Sequence, residues 1–401
     1  MAETRSVAAV GDVSDVNTWS GTPYNYFRAA RGVGFAAEAW GLDLSRITWQ
    51  RYVWNAFGFL RGGRGGFQYS PWFLALAERQ IPRELFATEV ITFNQHFPRA
   101  GSVKSAGGRL NYYIDAPFLA LVTGRGLDLR LPRKVVERAV AAERENYTLA
   151  ERVITMGRWA AEVVVAECGV KREKVFTVLP GANLALPPGW DFPVAPGRPG
   201  VDRDFVLGFV GKDWQRKGLP LLLEVRGELA RRGWKAAVHA AGEAPDDFGR
   251  RVGVRFVGFI NKQAEAGKFV GFLAGCDVGC LFSRKEALGI STLEFLRAGV
   301  PVAGFVHEGV ADTLPPDAGF RFELSASARD IADRLEDYLR DEVAQRAMRR
   351  NARRWSELVT WERCVSEFQE LWNTGTVAAP VRPWLGLPAG GQSGGTGANA
   401  H

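Results

Sequence analysis

The feature that most constrains the fold is an alternation of short apolar runs with amphipathic segments, which occurs twice along the chain. The first half has four runs typical of buried strands: 7–10, 89–95, 151–156 and 174–180. The second half has five: 205–211, 234–242, 254–260, 277–283 and 300–305. Helical patterns lie between them, notably at 133–147, 158–169, 217–232, 292–299 and 328–357. Such alternation predicts parallel sheets with helices on their faces, and so an α/β protein.

A proline-rich segment separates the two alternations. Residues 185–204 contain five prolines and three glycines, which interrupt regular structure. We therefore expect an N-terminal domain over residues 1–195 and a C-terminal domain over residues 196–357. An amphipathic helix is expected over 358–373, and the glycine-rich residues 374–401 are expected to form a flexible tail.

Charge and composition exclude several classes of protein. The net charge is +7, and the first 200 residues hold 24 Lys+Arg against 18 Asp+Glu, so this half would attract an anionic surface. The chain has no apolar run of the roughly 20 residues that cross a bilayer, and no motif of a nucleic-acid-binding module. Four scattered cysteines and four histidines disfavour a disulfide framework and a multi-histidine metal centre. With no export signal, the sequence predicts a cytoplasmic protein.

A basic loop follows the first strand of the second half. The segment FVGKDWQRKGL places Lys212, Arg216 and Lys217 between a strand and a helix. Cations at the carboxyl end of a parallel strand lie where open α/β sheets bind ligands, and they pair well with phosphate. A solvated basic turn is the alternative. The glycine spacing of a P-loop or of a dinucleotide-binding fingerprint is absent.

A helix start in SRKEALGISTLEFLRAGVPV is the second candidate. Gly289 permits an unusual backbone conformation, and Ser291 or Thr292 can cap the helix that follows. The unpaired N–H groups of the first turn attract an anion. Glu286 precedes this turn and Glu294 lies about one turn inside the helix, so two carboxylates flank the anion site. Solvated surface acids are the alternative.

These motifs resemble those of the retaining glycosyltransferases of family 4. EALGISTLE followed by AGVPV is similar to the E-x7-E region of that family. FVGKDWQRKG looks like its donor-phosphate loop, and VGFINK like the strand and turn before the donor site. In the first half, residues 151–183 and the loop WSGTPYN resemble the family more loosely. The resemblance implies the GT-B architecture: two facing Rossmann-like domains, a donor site in the cleft between them, and a C-terminal helix that crosses back to the first domain.

The resemblance also implies roles for the matched residues. Glu286 would contact the hydroxyls of the transferred sugar, and Glu294 would hydrogen-bond the ribose of the nucleotide. Lys212 and Lys217 would neutralise the donor diphosphate, with Arg216 adjacent. Lys212 departs from the pattern, because arginine is usual there and lysine lacks the bidentate fork.

The remaining donor contacts come from backbone and small residues. Ile290 and Ser291 would donate N–H groups to phosphate oxygens, beside Gly289 and Thr292. Gly21, in WSGTPYN, would leave room for the donor. A second departure lies in the first half, where MGR has a glycine in place of the serine of many relatives.

The acceptor side offers two titratable candidates. His96 follows a strand and could orient the acceptor hydroxyl or act as a base, although a structural histidine is the open alternative. Asp115 is similar to a first-domain aspartate near the cleft in many relatives. The Gly-, Arg- and aromatic-rich residues 61–73 are either an acceptor loop or a solvated loop.

The predicted function is transfer, with retention, of a sugar from a nucleotide-diphosphate sugar to a glycan or lipid-linked acceptor in polysaccharide or lipopolysaccharide synthesis. The expected enzyme needs no cofactor beyond this co-substrate and no metal, since the pair Asp246-Asp247 is interpreted as a solvated loop. The basic first half suggests peripheral contact with an anionic membrane. The alternatives are a non-catalytic nucleotide- or glycan-binding relative, a sugar-nucleotide epimerase or phosphorylase of the same architecture, and a double-Rossmann dehydrogenase.

Overall fold

The computed structural model describes residues 5–60, 65–123, 131–193, 196–243 and 253–387. Residues 61–64 of the predicted acceptor loop lie outside the described residues, as do Asp246 and Asp247.

A six-stranded parallel sheet forms the core of the N-terminal domain, in the order β2-β1-β3-β4-β5-β6. Its strands are β1 (Arg5–Ala9), β2 (Glu38–Gly41), β3 (Glu89–Thr92), β4 (Arg109–Ile114), β5 (Arg152–Thr155) and β6 (Val175–Thr177). Its helices are α1 (Thr22–Gly32), α2 (Thr48–Leu60), α3 (Pro71–Glu78), α4 (Arg83–Phe86), α5 (Ala100–Ser105), α6 (Phe118–Val122), α7 (Arg133–Leu149) and α8 (Arg158–Ala166). Every residue of β3 is buried, because helices cover both faces of a parallel sheet.

A second six-stranded parallel sheet follows in the C-terminal domain, in the order β12-β11-β10-β7-β8-β9. Its strands are β7 (Phe205–Gly211), β8 (Ala236–Gly242), β9 (Val254–Phe256), β10 (Val278–Leu281), β11 (Val302–Phe305) and β12 (Gly319–Phe322). The helices are α9 (Leu219–Arg231), α10 (Ala266–Ala274), α11 (Ile290–Arg297), α12 (Ala328–Arg340), α13 (Glu342–Leu358) and α14 (Trp361–Thr374). The two sheets confirm the predicted α/β class.

Each sheet reverses its strand order at one point. In the first sheet the chain moves outward from β1 to β2 on one side and from β3 to β6 on the other. In the second sheet it moves from β7 to β9 on one side and from β10 to β12 on the other. The loops after two such diverging strands leave a crevice at the carboxyl edge of the sheet, which is where open α/β sheets bind ligands.

Helix α14 packs on the N-terminal domain although it follows the C-terminal one. The ring of Phe368 lies 5.1 Å from that of Tyr26 and 4.9 Å from that of Tyr113, measured between centroids. Both tyrosine rings are buried, so this contact joins the end of the chain to the first core.

The expectation of a loose tail from residue 374 is wrong for residues 375–387. Val381 and Leu387 pack against the apolar core of the C-terminal domain, and the Leu387 N–H donates to Asp317 Oδ2 at 3.0 Å. The glycine and proline content of this segment gave no indication that Val381 and Leu387 pack on the domain. In the described ranges no helix has the length and apolar character that crossing a membrane requires.

Candidate active site

A cavity of about 460 Å³ lies between the two domains. Its walls come from loops at the carboxyl edges of both sheets and from residues of α3, α6 and α8. The N-terminal domain contributes Val10, Trp19, Gln68, Tyr69, Phe73, Asn94, Gln95, Asp115, Phe118, Ala120, Leu121 and Trp159. The C-terminal domain contributes Arg216, Lys285, Glu286, Ala287 and Glu308. The two crevices therefore open into one cleft.

A carboxylate between two cations forms the centre of the C-terminal wall. Glu286 Oε2 accepts from Lys217 Nζ at 2.9 Å and from Arg216 Nη1 at 3.2 Å. The cations follow β7 and the glutamate follows β10, so the strand reversal brings them together from 69 or 70 residues apart. Gly211 leaves room for this arrangement, since a Cβ there would lie 2.5 Å from Lys217 Cδ.

Lys212 takes a different position from the other two cations. Its side chain is exposed and its Nζ lies 5.1 Å from the ring centroid of Phe259, a cation–π distance. It is not one of the described residues that line the cavity. The structure thus brings Lys217 and Arg216 to Glu286 and leaves Lys212 on the surface.

The N-terminus of α11 begins at Gly289 and not at a hydroxyl cap. Gly289 is the N-cap, with a φ of 84° that favours glycine, and no side chain caps the helix. Thr292 Oγ1 instead donates to Gly289 O at 2.6 Å, and Ser291 is buried in the first turn beside the half-buried Ile290. The prediction that Ser291 or Thr292 caps this helix is therefore wrong. The first-turn N–H groups keep their attraction for an anion.

Glu294 is fully buried one turn inside α11 and has a partner that sequence reasoning missed. The ammonium of Lys262 hydrogen-bonds Glu294 Oε1, and Lys262 Nζ lies 4.8 Å from the ring centroid of Phe269. Burial raises the pKa of Glu294, while Lys262 and Lys217 act to lower it. Lys262 ends the VGFINK segment, but it lies 32 residues from Glu294, so no local pattern indicated the pair.

A glycine loop of the N-terminal domain faces Lys262. Gly21 has a φ of 92°, and a Cβ there would lie 2.9 Å from Val16 O. A smaller cavity of about 170 Å³ is lined by both domains, including Gly21, Tyr24, Asn25, Arg28, Asn183, Lys262, Gln263 and Phe269. Gly21 thus lines the cleft, and its lack of a side chain lets its own loop turn closely past Val16.

The loop before Gly21 is held in an unusual conformation. Trp19 and Ser20 both have positive φ, 49° and 57°. Asn183 Nδ2 donates to Ser20 O at 2.9 Å, and Trp361 Nε1 donates to Asn183 Oδ1 at 3.1 Å. The first residue of α14 therefore connects through Asn183 to the loop that places Trp19 in the cavity wall.

Glu308 is a second residue of the candidate site that the sequence did not reveal. Its Oε2 accepts from the Glu286 N–H at 3.1 Å, and its φ is 47°, in the left-handed region. At Gly309, a Cβ would lie 1.7 Å from Ala287 O, so the chain passes very close to the Glu286 loop. Backbone strain of this kind persists only where surrounding contacts hold it, and here it fixes Glu286.

The two acceptor-side candidates differ in position. Asp115 lines the cavity, and burial raises its pKa to about 6, with a further rise from Glu286. His96 is buried outside the lining, with Nε2 3.0 Å from Ala139 O and its ring against Tyr69 and Phe118. Burial lowers its pKa to about 4. The geometry favours the structural alternative for His96.

Part of the predicted acceptor loop does reach the cavity. Gln68, Tyr69 and Phe73 lie in its wall. Within the described ranges, no group of three or more His, Cys, Asp or Glu side chains is arranged to hold a metal ion.

Comparison with known proteins connects this site to a family. Residues 198–355 match the family model of the glycosyl transferases group 1. The 2-deoxystreptamine glucosyltransferase of Streptomyces kanamyceticus is 25% identical over 261 residues, which are 60% of this chain and 66% of that protein. The glycogen synthase of Alkalilimnicola ehrlichii is 30% identical over 182 residues, 42% of this chain and 35% of that protein. The chain thus spans about a third of the length of that synthase.

Solved structures extend the likeness to both domains. WaaG, a glycosyltransferase involved in lipopolysaccharide biosynthesis, superposes with a TM-score of 0.61 over 92% of this chain and 100% of that chain, at 15% identity. Anabaena Alr3699/HepE, solved with UDP and glucose, superposes with a TM-score of 0.59 over 93% of this chain and 100% of that chain, also at 15% identity. Identities this low establish the fold alone. Residues 198–355 therefore match the group 1 glycosyltransferases, and the chain as a whole has the two-domain GT-B fold of solved glycosyltransferases.

Proposed function

We propose that this protein is a retaining, metal-independent glycosyltransferase that moves a sugar from a nucleotide-diphosphate sugar to a glycan or lipid-linked acceptor. The observation that carries the proposal is the Glu286 carboxylate between Lys217 and Arg216 inside the interdomain cavity, at the start of α11.

The leaving group is the first requirement of this chemistry. When the bond between the sugar C1 and the diphosphate oxygen breaks, negative charge develops on the diphosphate. We assign the stabilisation of that charge to Lys217, Arg216 and the uncapped N-terminus of α11. Because Glu286 shares both cations, we propose that the donor diphosphate takes over part of their coordination and leaves Glu286 for the sugar hydroxyls.

The nucleotide is the second requirement. Glu294 and Lys262 lie beside the smaller cavity, opposite Gly21. We assign Glu294 to the ribose hydroxyls, with Lys262 hydrogen-bonded to the buried carboxylate. The base would lie toward Phe269, in the same cavity.

The acceptor is the third requirement. Trp19, Tyr69 and Trp159 provide aromatic faces on the N-terminal wall, on which sugar rings can stack, and Asp115 provides a carboxylate among them. In a front-face mechanism the departing phosphate takes the proton of the acceptor hydroxyl. No protein base is then needed, and we assign Asp115 the role of orienting that hydroxyl. The family resemblance supports a glycan or lipid-linked acceptor, and the matched glycogen synthase and WaaG, involved in lipopolysaccharide biosynthesis, are in line with a glycan acceptor.

The test is a screen of UDP-, GDP- and ADP-sugars for nucleotide release by the purified chain, followed by assignment of the product anomer. Lys217→Ala should slow release by about 100-fold, as when one preorganised charge-stabilising group is removed, and Glu286→Gln should also slow it. Lys268→Ala is the matched control, because this exposed lysine pairs with Glu265 at 2.8 Å on α10 and lies outside the cavity lining. No release from any donor, or equal release by all variants, would refute the proposal.

A further inference from the structure

One stretch of the N-terminal domain has an unusual composition. Residues 44–77 contain nine aromatic residues and four arginines but no aspartate, glutamate or lysine. The stretch begins just before α2 and ends in α3. A segment of this composition is both apolar and exclusively cationic over 34 residues.

The structure places several of these aromatic rings in solvent. Trp49 is 69% exposed, Tyr52 64% and Phe57 60%, all on α2. Their spacing of i, i+3 and i+8 puts them on one side of the helix. Phe59, at the last turn, is 65% exposed. A helix of 13 residues is about 20 Å long, so these rings form a continuous exposed apolar strip, the α2 face.

The other side of α2 is attached to the domain. Trp54 lies 6.1 Å from Phe67 between ring centroids, and its Nε1 donates to Gly65 O at 2.9 Å. Ile47, at the start of the helix, is buried in the core. The helix is therefore packed on the domain through its other side while the α2 face remains exposed.

A cation accompanies the aromatic strip. Arg51 is exposed, with its guanidinium carbon 5.8 Å from the ring centroid of Tyr52. Arg46, one turn earlier, pairs with Asp43 at 3.1 Å and is also largely exposed. Tryptophan and tyrosine rings with adjacent arginines are typical of helices that lie at the boundary between lipid headgroups and acyl chains.

We propose that the α2 face docks this protein on an anionic lipid bilayer. The aromatic rings enter the boundary region of the bilayer while Arg51 contacts lipid phosphates. A symmetric dimer through the same face would instead bring the arginines of two copies together, because such an interface uses the same patch twice. Asp43 pairs with Arg46, but α2 itself carries Arg51 and no acid, so charge favours the bilayer.

The α2 face is continuous with the wall of the cleft. Phe67 contacts Trp54 on one side and Phe73 on the other, the latter at 5.5 Å between centroids, and Phe73 and Tyr69 line the 460 Å³ cavity. A bilayer on α2 would thus lie beside the acceptor side of the site. The docking rests on exposure and charge alone, whereas its use to reach a lipid-linked acceptor rests on the proposed function.

The test is co-sedimentation of the full chain with vesicles of phosphatidylcholine alone or with 30% phosphatidylglycerol. The full chain should bind the anionic vesicles at least tenfold more tightly. The triple variant Trp49→Ser/Tyr52→Ser/Phe57→Ser should lose at least tenfold in binding, and Arg51→Gln about fivefold. The control Val33→Ser/Val343→Ser/Leu385→Ser removes three apolar side chains that are also more than half exposed, on other surfaces, and should bind as the parent does.

Two further measurements separate the possible failures. Nucleotide release in solution should be the same in the triple variant and the parent, because the α2 face lies outside the cavity lining. Loss of nucleotide release in every protein with vesicle binding intact would refute the proposed function and leave the docking in place. No vesicle binding by the parent, equal binding by the triple variant, or a dimer in sedimentation velocity that only the triple variant dissociates would overturn the docking.

Discussion

Asp312 offers the sharpest test of how the two domains meet. This residue belongs to the C-terminal domain and is fully buried, and its Oδ2 accepts from the N–H of Trp159, in the first turn of α8 of the N-terminal domain, at 2.8 Å. Gly157 is the N-cap of α8, and a Cβ there would lie 2.6 Å from Asp312 Oδ2. One domain thus caps a helix of the other, and the missing side chain of Gly157 admits the cap.

The size of the effect follows from the contacts. Asp312→Ala removes the acceptor of the Trp159 N–H and leaves that N–H unpaired, which costs about 2 kcal/mol. Asp312→Asn keeps an oxygen for that N–H but removes the ionisation. Burial raises the pKa of Asp312 to about 6 from 3.8. A shift of about 2 pKa units corresponds to about 3 kcal/mol between the two protonation states.

The sign of the pH dependence is fixed by the raised pKa. Between pH 4 and pH 6 the folded protein holds the Asp312 proton while the unfolded chain has lost it, so stability falls as the pH rises through this window. The melting temperature of the parent should therefore decline relative to that of Asp312→Asn from pH 4 to pH 6, and then stay level to pH 8. Asp312→Ala should melt about 4 °C below the parent at pH 4, where the carboxyl of the folded parent is protonated, and this difference should shrink as the pH rises to 6.

The assay is thermal unfolding of the three proteins, followed by fluorescence, in buffers from pH 4 to pH 8. Differences in melting temperature are compared because a two-domain chain need not unfold in two states. A difference between parent and Asp312→Asn that is constant across this range, or that moves in favour of the parent as the pH rises, would refute the reasoning.

Three further perturbations test other parts of the structure. Glu143→Ala should lower the free energy of unfolding by about 3 kcal/mol in urea titrations, because the buried carboxylate accepts from the N–H groups of Phe118 and Leu119 at 2.6 and 3.0 Å; an unchanged midpoint would contradict this. Asn183→Ala should raise the donor KM about tenfold, because it removes the hydrogen bond that holds Ser20 O in the loop before Gly21; an unchanged KM would show that this hydrogen bond does not support donor binding. All four cysteines are buried with raised pKa values, so a thiol reagent at pH 8 should label the native protein far more slowly than the denatured chain.

Much of the fold could be predicted because local pattern and burial agree there. The strand FVLGFVG was expected at 205–211 and is β7 over the same residues, because a continuous apolar run is what a strand buried on both faces requires. The helix expected at 133–147 is α7, Arg133–Leu149. By contrast, β2 is only four residues long at the sheet edge, with no apolar run to indicate it. The strand expected at 254–260 ends at Phe256, before Gly258 turns the chain with a φ of 73°.

Site residues could be predicted where the surrounding segment has a recognisable motif. They could not be predicted where the contact joins segments that are far apart in the sequence. Glu286 and Lys217 could each be chosen from local context, but their contact depends on the strand reversal. Lys262, Glu308 and Asp312 have no local signal, since each acts on a partner far along the chain. The departure from serine at Gly157 is explained only by the carboxylate that approaches it from the other domain.

The central claim is that the cations after β7 and the start of α11 bind a nucleoside diphosphate. Calorimetric titration of the chain with UDP, GDP and ADP tests it most directly, with Lys217→Ala and the matched surface variant Lys268→Ala alongside. The account predicts that one of the three nucleotides binds, that Lys217→Ala weakens this binding at least tenfold, and that Lys268→Ala leaves it unchanged. Absence of binding by all three nucleotides, or equal affinity in the parent and Lys217→Ala, would contradict it.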